Sequence, residues 1–264
     1  MIINLQLVKP LKRYLRQTWL YSAKTWLKRH SPSGIYHHKK TLAFYSQFLE
    51  PGDLCFDVGA NIGNRTEIFV ALGAKTVCFE PQETCLNRLH QLFDANSNVI
   101  IVEKAVGDCE GWAELSICED ASTISTLSDR WRTSGRFSQD FEWNKTQSVP
   151  VTTLDRSIEV YGLPKFCKID VEGFEVSVLK GLTKPIPFLS FEFNIELTHE
   201  IEECVRCLKR IAPVEFNYSI DESMELVFPT WVSAEKLFEK ISRTNNQLLW
   251  GDIYAKFEIG RAHV

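Results

Sequence analysis

The sequence predicts an α/β fold, a seven-stranded, mostly parallel sheet with helices on both faces. Three observations predict it. Short apolar runs alternate with helical patterns from residue 53 onward, which implies parallel strands joined by right-handed crossovers. The first strand ends in Asp57 and runs into a loop with glycines at 59 and 63, after which a helix begins; that order builds a nucleotide-cofactor pocket at the carboxyl end of a strand. The closing runs at 214–220, 224–228 and 253–257 read as late, antiparallel strands.

Each element follows from local pattern. Residues 40–49 read as a short helix, and Pro51-Gly52 turns the chain into the first strand, 53–58. The helix after the loop covers 64–72 and stops at Gly73, since glycine readily ends helices. Strand 76–79 ends at Glu80-Pro81, and Leu86, Leu89 and Phe93 give 84–93 helical spacing. Residues 99–102 form a β-branched third strand, extended by Lys104-Ala105-Val106-Gly107, and 112–117 alternate like a strand. Residues 119–148 show little periodicity and read as a long loop, which in a compact domain is functional or mobile. Its Trp131, Arg132, Arg136, Phe137 and Trp143 suit two roles equally, holding an acceptor or anchoring the loop. The rhythm then resumes with a strand at 166–171, a helix at 174–182, a strand at 188–193 and helices at 199–211 and 233–242.

The 264 residues are 44% apolar and 24% charged, ordinary for a soluble globular chain. No run of about 18 apolar residues predicts a membrane span, and no secretory signal is read at the start. The eight cysteines lack framework spacing, and Cys204-x-x-Cys207 has no second pair nearby; a reduced, cytoplasmic setting is expected. Charge is uneven. Residues 1–49 hold nine Lys and Arg and no Asp or Glu, so the remainder carries −4 − 9 = −13. On a helix, Leu7, Leu11, Tyr14, Leu15 and Trp19 share a face opposite Lys12, Arg13 and Arg16. Such a basic amphipathic arm has the chemistry for peripheral contact with an anionic membrane, although docking on the domain is the commoner use of such a face. The organisation read from this is an arm at 1–49, one domain at 50–257, and a non-native tail at 258–264. Ile259-Gly260-Arg261-Ala262-His263-Val264 reads as a translated sequencing adapter.

The loop narrows the cofactor. A dinucleotide fingerprint needs a middle glycine so that backbone approaches the pyrophosphate, and Asn61 stands there instead. Asp57 would repel a pyrophosphate, but suits the ammonium and sulfonium of S-adenosylmethionine (SAM). Glu80 lies 21 positions beyond Gly59, where an acidic residue hydrogen-bonds ribose hydroxyls. Val106, closing the third strand, falls beside the expected adenine pocket. Asp57, Gly59, Asn61, Gly63, Glu80 and Val106 are therefore the candidate cofactor residues. Downstream, Lys168-Ile169-Asp170-Val171-Glu172-Gly173 sets Asp170 and Glu172 at the carboxyl end of a neighbouring strand, and Glu192 ends the next. These three carboxylates are the candidate catalytic bases, with His199 a distant fourth; no metal is assigned, because no cluster supplies a full set of oxygen ligands.

Phe56-Asp57-Val58-Gly59-Ala60-Asn61-Ile62-Gly63 through Thr66, Phe79-Glu80-Pro81, and the 168–173 segment with Val178-Leu179-Lys180-Gly181 together resemble the FkbM-type methyltransferases. Ser125-Thr126-Leu127, Thr153-Leu154-Asp155 and Gly251-Asp252-Ile253-Tyr254-Ala255 fit as well. The resemblance covers residues 50–257. It implies a Rossmann-like class I methyltransferase fold, SAM as cofactor, and methyl transfer to hydroxyl oxygens of glycans or secondary metabolites. Nucleic-acid methylation is the first rival: the arm could meet phosphate, but the Asp/Asn-Pro-Pro-aromatic motif is absent and the domain is acidic, so no nucleic-acid partner is expected. A non-catalytic SAM-binding or membrane-docking module is the second.

Overall fold

A computed structural model describes residues 31–119, 121–138, 140–244, 246 and 248–258. Most of the basic arm, and the tail after 258, lie outside the described residues. The helices and strands begin with α1 (Pro32–Tyr45), β1 (Leu54–Val58), α2 (Asn64–Ala71), β2 (Lys75–Phe79), α3 (Glu83–Phe93) and β3 (Val99–Val102). Next come β4 (Ala105–Val106), β5 (Gly111–Ile117), α4 (Asp129–Ser134), β6 (Lys145–Thr152), α5 (Leu154–Tyr161) and β7 (Phe166–Ile169). The last are α6 (Glu175–Lys180), β8 (Phe188–Asn194), α7 (Thr198–Ile211), β9 (Val214–Tyr218), α8 (Ala234–Ser242) and β10 (Trp250–Phe257). The chain divides into two compact units, Met1–Ala43 and Phe44–Val264.

Seven strands form one sheet in the order β3-β2-β1-β7-β8-β10-β9. Pairings are parallel except those of β10, which is antiparallel to both β8 and β9. This is the class I methyltransferase arrangement, and its strand order reverses between β1 and β7. Ligands of open α/β sheets bind at such a switch point, beyond the carboxyl ends of the strands.

Alternation along the strands sorts the two faces. Phe56 and Val58 of β1, Cys167 and Ile169 of β7, and Leu189 and Phe191 of β8 enter one large apolar core with buried residues of α5, α6, α7 and α8. The opposite face of the β2 edge buries Cys78 with Leu86, Leu89 and Phe93 of α3. Further along it, an aromatic layer packs Tyr45 edge-on to Phe69 and stacks Phe48 on Phe166 and Tyr254. Such ring pairs add about 0.5–1.5 kcal/mol each beyond the area they bury. Short polar side chains start the helices: Ser128, Thr153 and Ser233 accept from the backbone N–H of Trp131, Arg156 and Lys236. Thr153-Leu154-Asp155 is thus a helix start, and the Asp155 carboxylate also accepts from the backbone N–H and the hydroxyl of Thr183.

Four local expectations need correction. The helix expected at 40–49 instead begins at Pro32 and ends at Tyr45, with a turn over 46–48. Ala105 and Val106 do not extend β3; they pair in parallel with Val151 and Thr152 in a separate sheet of order β4-β6-β5. The loop at 119–148 contains α4 and the start of β6. Residues 224–228 are not a strand, because Met224 takes a positive φ of 51° and the Asn217 side chain binds both backbone groups of Phe228. A side-chain amide there does what a strand ladder would do.

Candidate active site

The loop after β1 is shaped by close backbone approach. Gly59 has φ 80°, and a Cβ on it would stand 1.9 Å from the Asp170 carbonyl oxygen. Only glycine lets this loop lie against the β7 end. The Gly59 and Ala60 N–H groups both donate to the Phe79 carbonyl. Gly63, φ 86°, faces Leu89 and Phe93, so it serves the packing of α3. Asn61 adopts φ 49°, and its N–H donates to Glu80 Oε2 at 2.8 Å. Glu80 Oε1 accepts from the Gln82 N–H at 2.8 Å. Both carboxylate oxygens are thus aimed by backbone and keep lone pairs for a ligand. Burial pushes the Glu80 carboxyl up to about 7, against the pull of those two N–H groups.

Gly59, Asn61, Glu80 and Val106 line one cleft of about 560 Å³, part of it open to solvent. Asp57 and Gly63 stand outside its lining. Asp57 sits on the other side of β1, beneath α2, where Thr66 Oγ1 donates to its Oδ2 at 2.7 Å. Its carboxyl is raised by burial, with Thr66 and Lys168 opposing. Residues unnamed as site candidates complete the cleft: Lys104, Leu115, Ser125 and Leu127 close it from the side of the small sheet. The Ser125-Thr126-Leu127 signal in the sequence marked this wall.

Asp170 and Glu172 line the same cleft. The Asp170 N–H donates to the Val58 carbonyl, so Asp170 continues the β7 ladder. Glu172 is held at φ 52°, and its carbonyl accepts from Thr126 Oγ1 at 2.7 Å. Glu175, rather than Glu172, takes the exposed N–H groups of this turn, those of Val171 and Gly173. Glu172 is left to point elsewhere. Glu192, on β8, joins Asp170 and Glu172: one carboxylate oxygen from each lies within 4.8 Å of the others. Glu192 Oε2 is buried and has no hydrogen-bond partner. Burial first, then the neighbouring carboxylates, push the carboxyls of Glu172 and Glu192 well above the usual range. Such a rim can receive a proton. Lys168 already supplies a positive charge at Asp170, 2.5 Å away. His199 lies in a shallow depression with Asp108 and Lys180, outside the cleft lining.

The large side chains at 129–143 anchor. Trp131 is 1% exposed and packs against Gly173, where any Cβ would collide with it. Trp143 Nε1 donates to the Ile124 carbonyl. Arg136 makes a two-pronged ion pair with Glu196, at 2.7 and 2.8 Å. The segment is thereby fastened to the turn after β7 and to the exit of β8.

The chain is 29% identical over 145 residues to the hexuronic acid methyltransferase AglP of Haloferax volcanii, covering 54% of this chain. The match spans 55% of that relative's length, about half of it. Among solved structures, a precorrin-6Y C5,15-methyltransferase from Geobacter metallireducens gives a TM-score of 0.44 at 10% identity, over 83% of this chain and 85% of that one. A putative methyltransferase from Streptococcus mutans, solved with SAH, gives 0.39 at 14% identity, over 86% and 98%. Residues 57–222, the span from the first strand's end through the acid rim, match the methyltransferase FkbM domain. The chain belongs to the FkbM methyltransferase family.

Proposed function

We propose that this methyltransferase uses SAM to methylate a hydroxyl oxygen on a glycan or secondary metabolite. The observation that carries the reading is the sharing of one cleft. Glu80 and the Gly59–Asn61 loop stand on one side of it, Asp170 and Glu172 on the other. The residues fit the cofactor. Glu80 offers oriented acceptors to two ribose hydroxyls, Gly59 lets the loop at the cleft edge lie against the Asp170 backbone, and Val106 supplies an apolar wall for the adenine. The acidic rim complements a cationic sulfonium better than it would a pyrophosphate.

SAM would supply an electrophilic methyl group, leaving as a thioether when an acceptor oxygen displaces it. The chain's own residues do the remainder. The cleft walls hold the acceptor oxygen in line, and such positioning supplies several kcal/mol of the barrier. The hydroxyl proton passes to Asp170, with Glu172 and Glu192 alongside, and a placed base accelerates such a step by roughly 10²–10⁴. The relative named for hexuronic acid supports a sugar acceptor. A hexuronate offers hydroxyls and a carboxylate; the Asp170 anion repels the carboxylate and favours a hydroxyl.

Incubation with SAM and uronate-containing oligosaccharides should yield SAH and a methyl ether stable to mild alkali. An alkali-labile product would mean a methyl ester and overturn the hydroxyl reading. SAM binding without SAH from any sugar or polyol would overturn the acceptor class.

A further inference from the structure

Lys168 is the one charged member of the 168–173 segment that the methyl-transfer reading leaves without a task, and it stands in an unusual place. Its side chain is 2% exposed, yet it carries an ammonium. The alternation of β7 turns it away from the large core, onto the face shared with Asp57, Ser190 and Tyr254. The next residue on that face is Asp170. Lys168 Nζ donates to Asp170 Oδ2 at 2.5 Å and lies 3.9 Å from Asp252 Oδ1. Burial works against the ammonium, but Asp170 and then Asp252 outweigh it and hold its pKa above the ordinary lysine range.

The surroundings show why a fixed cation belongs here. Asp252 pairs in register with Glu192 across β10 and β8. Four carboxylates, Asp170, Glu172, Glu192 and Asp252, therefore crowd one corner of the sheet. Three elements supply them: the β7 exit, β8 and β10. From the remaining packed elements come Asp57 on β1, Arg65 on α2, Tyr45 at the end of α1, and Glu175 on α6. Arg65 is engaged with Glu222 and lies over the Tyr45 ring. Lys168 is thus the only ammonium or guanidinium hydrogen-bonded to a rim carboxylate among the described residues. It touches one of the three, Asp170, and leaves Glu192 Oε2 without a partner.

We propose that Lys168 is the positioning residue of the acid rim: its buried ammonium, shared with Asp252, fixes the rotamer of Asp170 and selects it as the anion that takes the acceptor's proton. Glu172 and Glu192, which repel each other and Asp170, serve as its neutral neighbours. The inference rests on the hydroxyl-methylation reading for its kinetic consequence, but not for its electrostatic one. In the step itself the O–H bond breaks and its proton goes to Asp170, while the C–O bond forms and the C–S bond of SAM breaks. Lys168 touches none of the reacting atoms and acts through Asp170.

The test compares Lys168→Met with Asp252→Asn in the full-length protein. Two readouts are used: kcat and SAM affinity, and the titration of Asp170 followed by carbon NMR of aspartate-labelled protein, assigned with Asp170→Asn. Lys168→Met should lower kcat by about 100-fold, change SAM affinity by less than about threefold, and raise the Asp170 midpoint by about one pH unit or more. Asp252→Asn keeps the ammonium and removes its competitor, so the Asp170 midpoint should move down. A merely structural Lys168 would give losses without this opposite pair of shifts. An unmoved midpoint in both variants, or shifts of one sign, overturns the proposal. If Lys168→Met does not fold, Asp252→Asn alone decides, by a downward shift or its absence. The NMR arm needs no acceptor. A wild type that makes no SAH with hydroxyl compounds would therefore fail the functional reading, while Lys168 is still judged by titration.

Discussion

The two sides of the cleft treat their carboxylates in opposite ways. On the β1–β2 side, Glu80 is satisfied: each oxygen accepts one backbone N–H, from Asn61 and Gln82. On the β7–β8 side, three carboxylates crowd within 4.8 Å, and one oxygen of Glu192 has no partner. An arrangement in which every polar atom is aimed is built to hold a ligand still. An arrangement of mutually repelling acids stores a demand for a proton. On the proposed reading, holding falls on one side of the strand-order reversal and chemistry on the other.

That contrast can be broken experimentally, starting where the two sides meet. Gly59→Ala puts a Cβ 1.9 Å from the Asp170 carbonyl at a φ of 80°. It should cost about 3 kcal/mol of stability and abolish SAM binding, measured by chemical denaturation and calorimetry; near-normal binding would show that the close approach is dispensable. Asp170→Asn should lower kcat by roughly 10²–10⁴ with SAM affinity little changed. Equal losses in both would move Asp170 to the holding side. Glu192→Gln should cost less, about tenfold in kcat, because its carboxyl is pushed toward the neutral form already. Glu80→Gln should do the reverse of Asp170→Asn, weakening SAM by about tenfold at nearly constant kcat.

The smallest effect is in pH. Burial first, opposed by backbone N–H groups, raises the carboxyls of Glu80 and Glu175 to about 7 from an ordinary 4.5. The folded state therefore holds protons that the unfolded chain has released. Their contribution to stability is full below about 4.5 and is lost as pH rises through about 7. The melting temperature of the ligand-free protein should fall across that window, and Glu80→Gln should flatten part of the slope. SAM, whose ribose would donate to the Glu80 carboxylate, should bind more weakly as pH falls through about 7. A pH-independent affinity would remove Glu80 from the ribose contact.

Legibility in the sequence followed the range of the interactions. The β1 loop was readable because positive φ at Gly59 and Gly63 is a local demand that names its residue. Glu80 was readable from its distance to that loop, and the acid rim from strand ends. The misassigned β4 is a two-residue run whose partner, β6, comes some 45 residues later; nothing local reports such a pairing. Residues 224–228 were apolar enough for a strand, but the Asn217 amide captured their backbone. Asp57 was read as a cofactor contact because it precedes the loop; the alternation of β1 turns it under α2 instead. Lys168 was not legible at all, since a lysine in an apolar strand signals nothing until its two carboxylate partners are seen.

The fastening of the 119–148 segment has a consequence for how acceptor preference can change. Trp131 fills the space that Gly173 leaves, Thr126 holds the Glu172 carbonyl, and Arg136 grips Glu196. Cover and rim are therefore one mechanical part, joined at three rivets that belong to different stretches of chain. Exchanging the segment whole for that of a relative would strip the rivets and misplace the base together with the acceptor. New specificity should instead enter by point changes at positions such as Thr123, which lines the cleft and takes no part in the three joints.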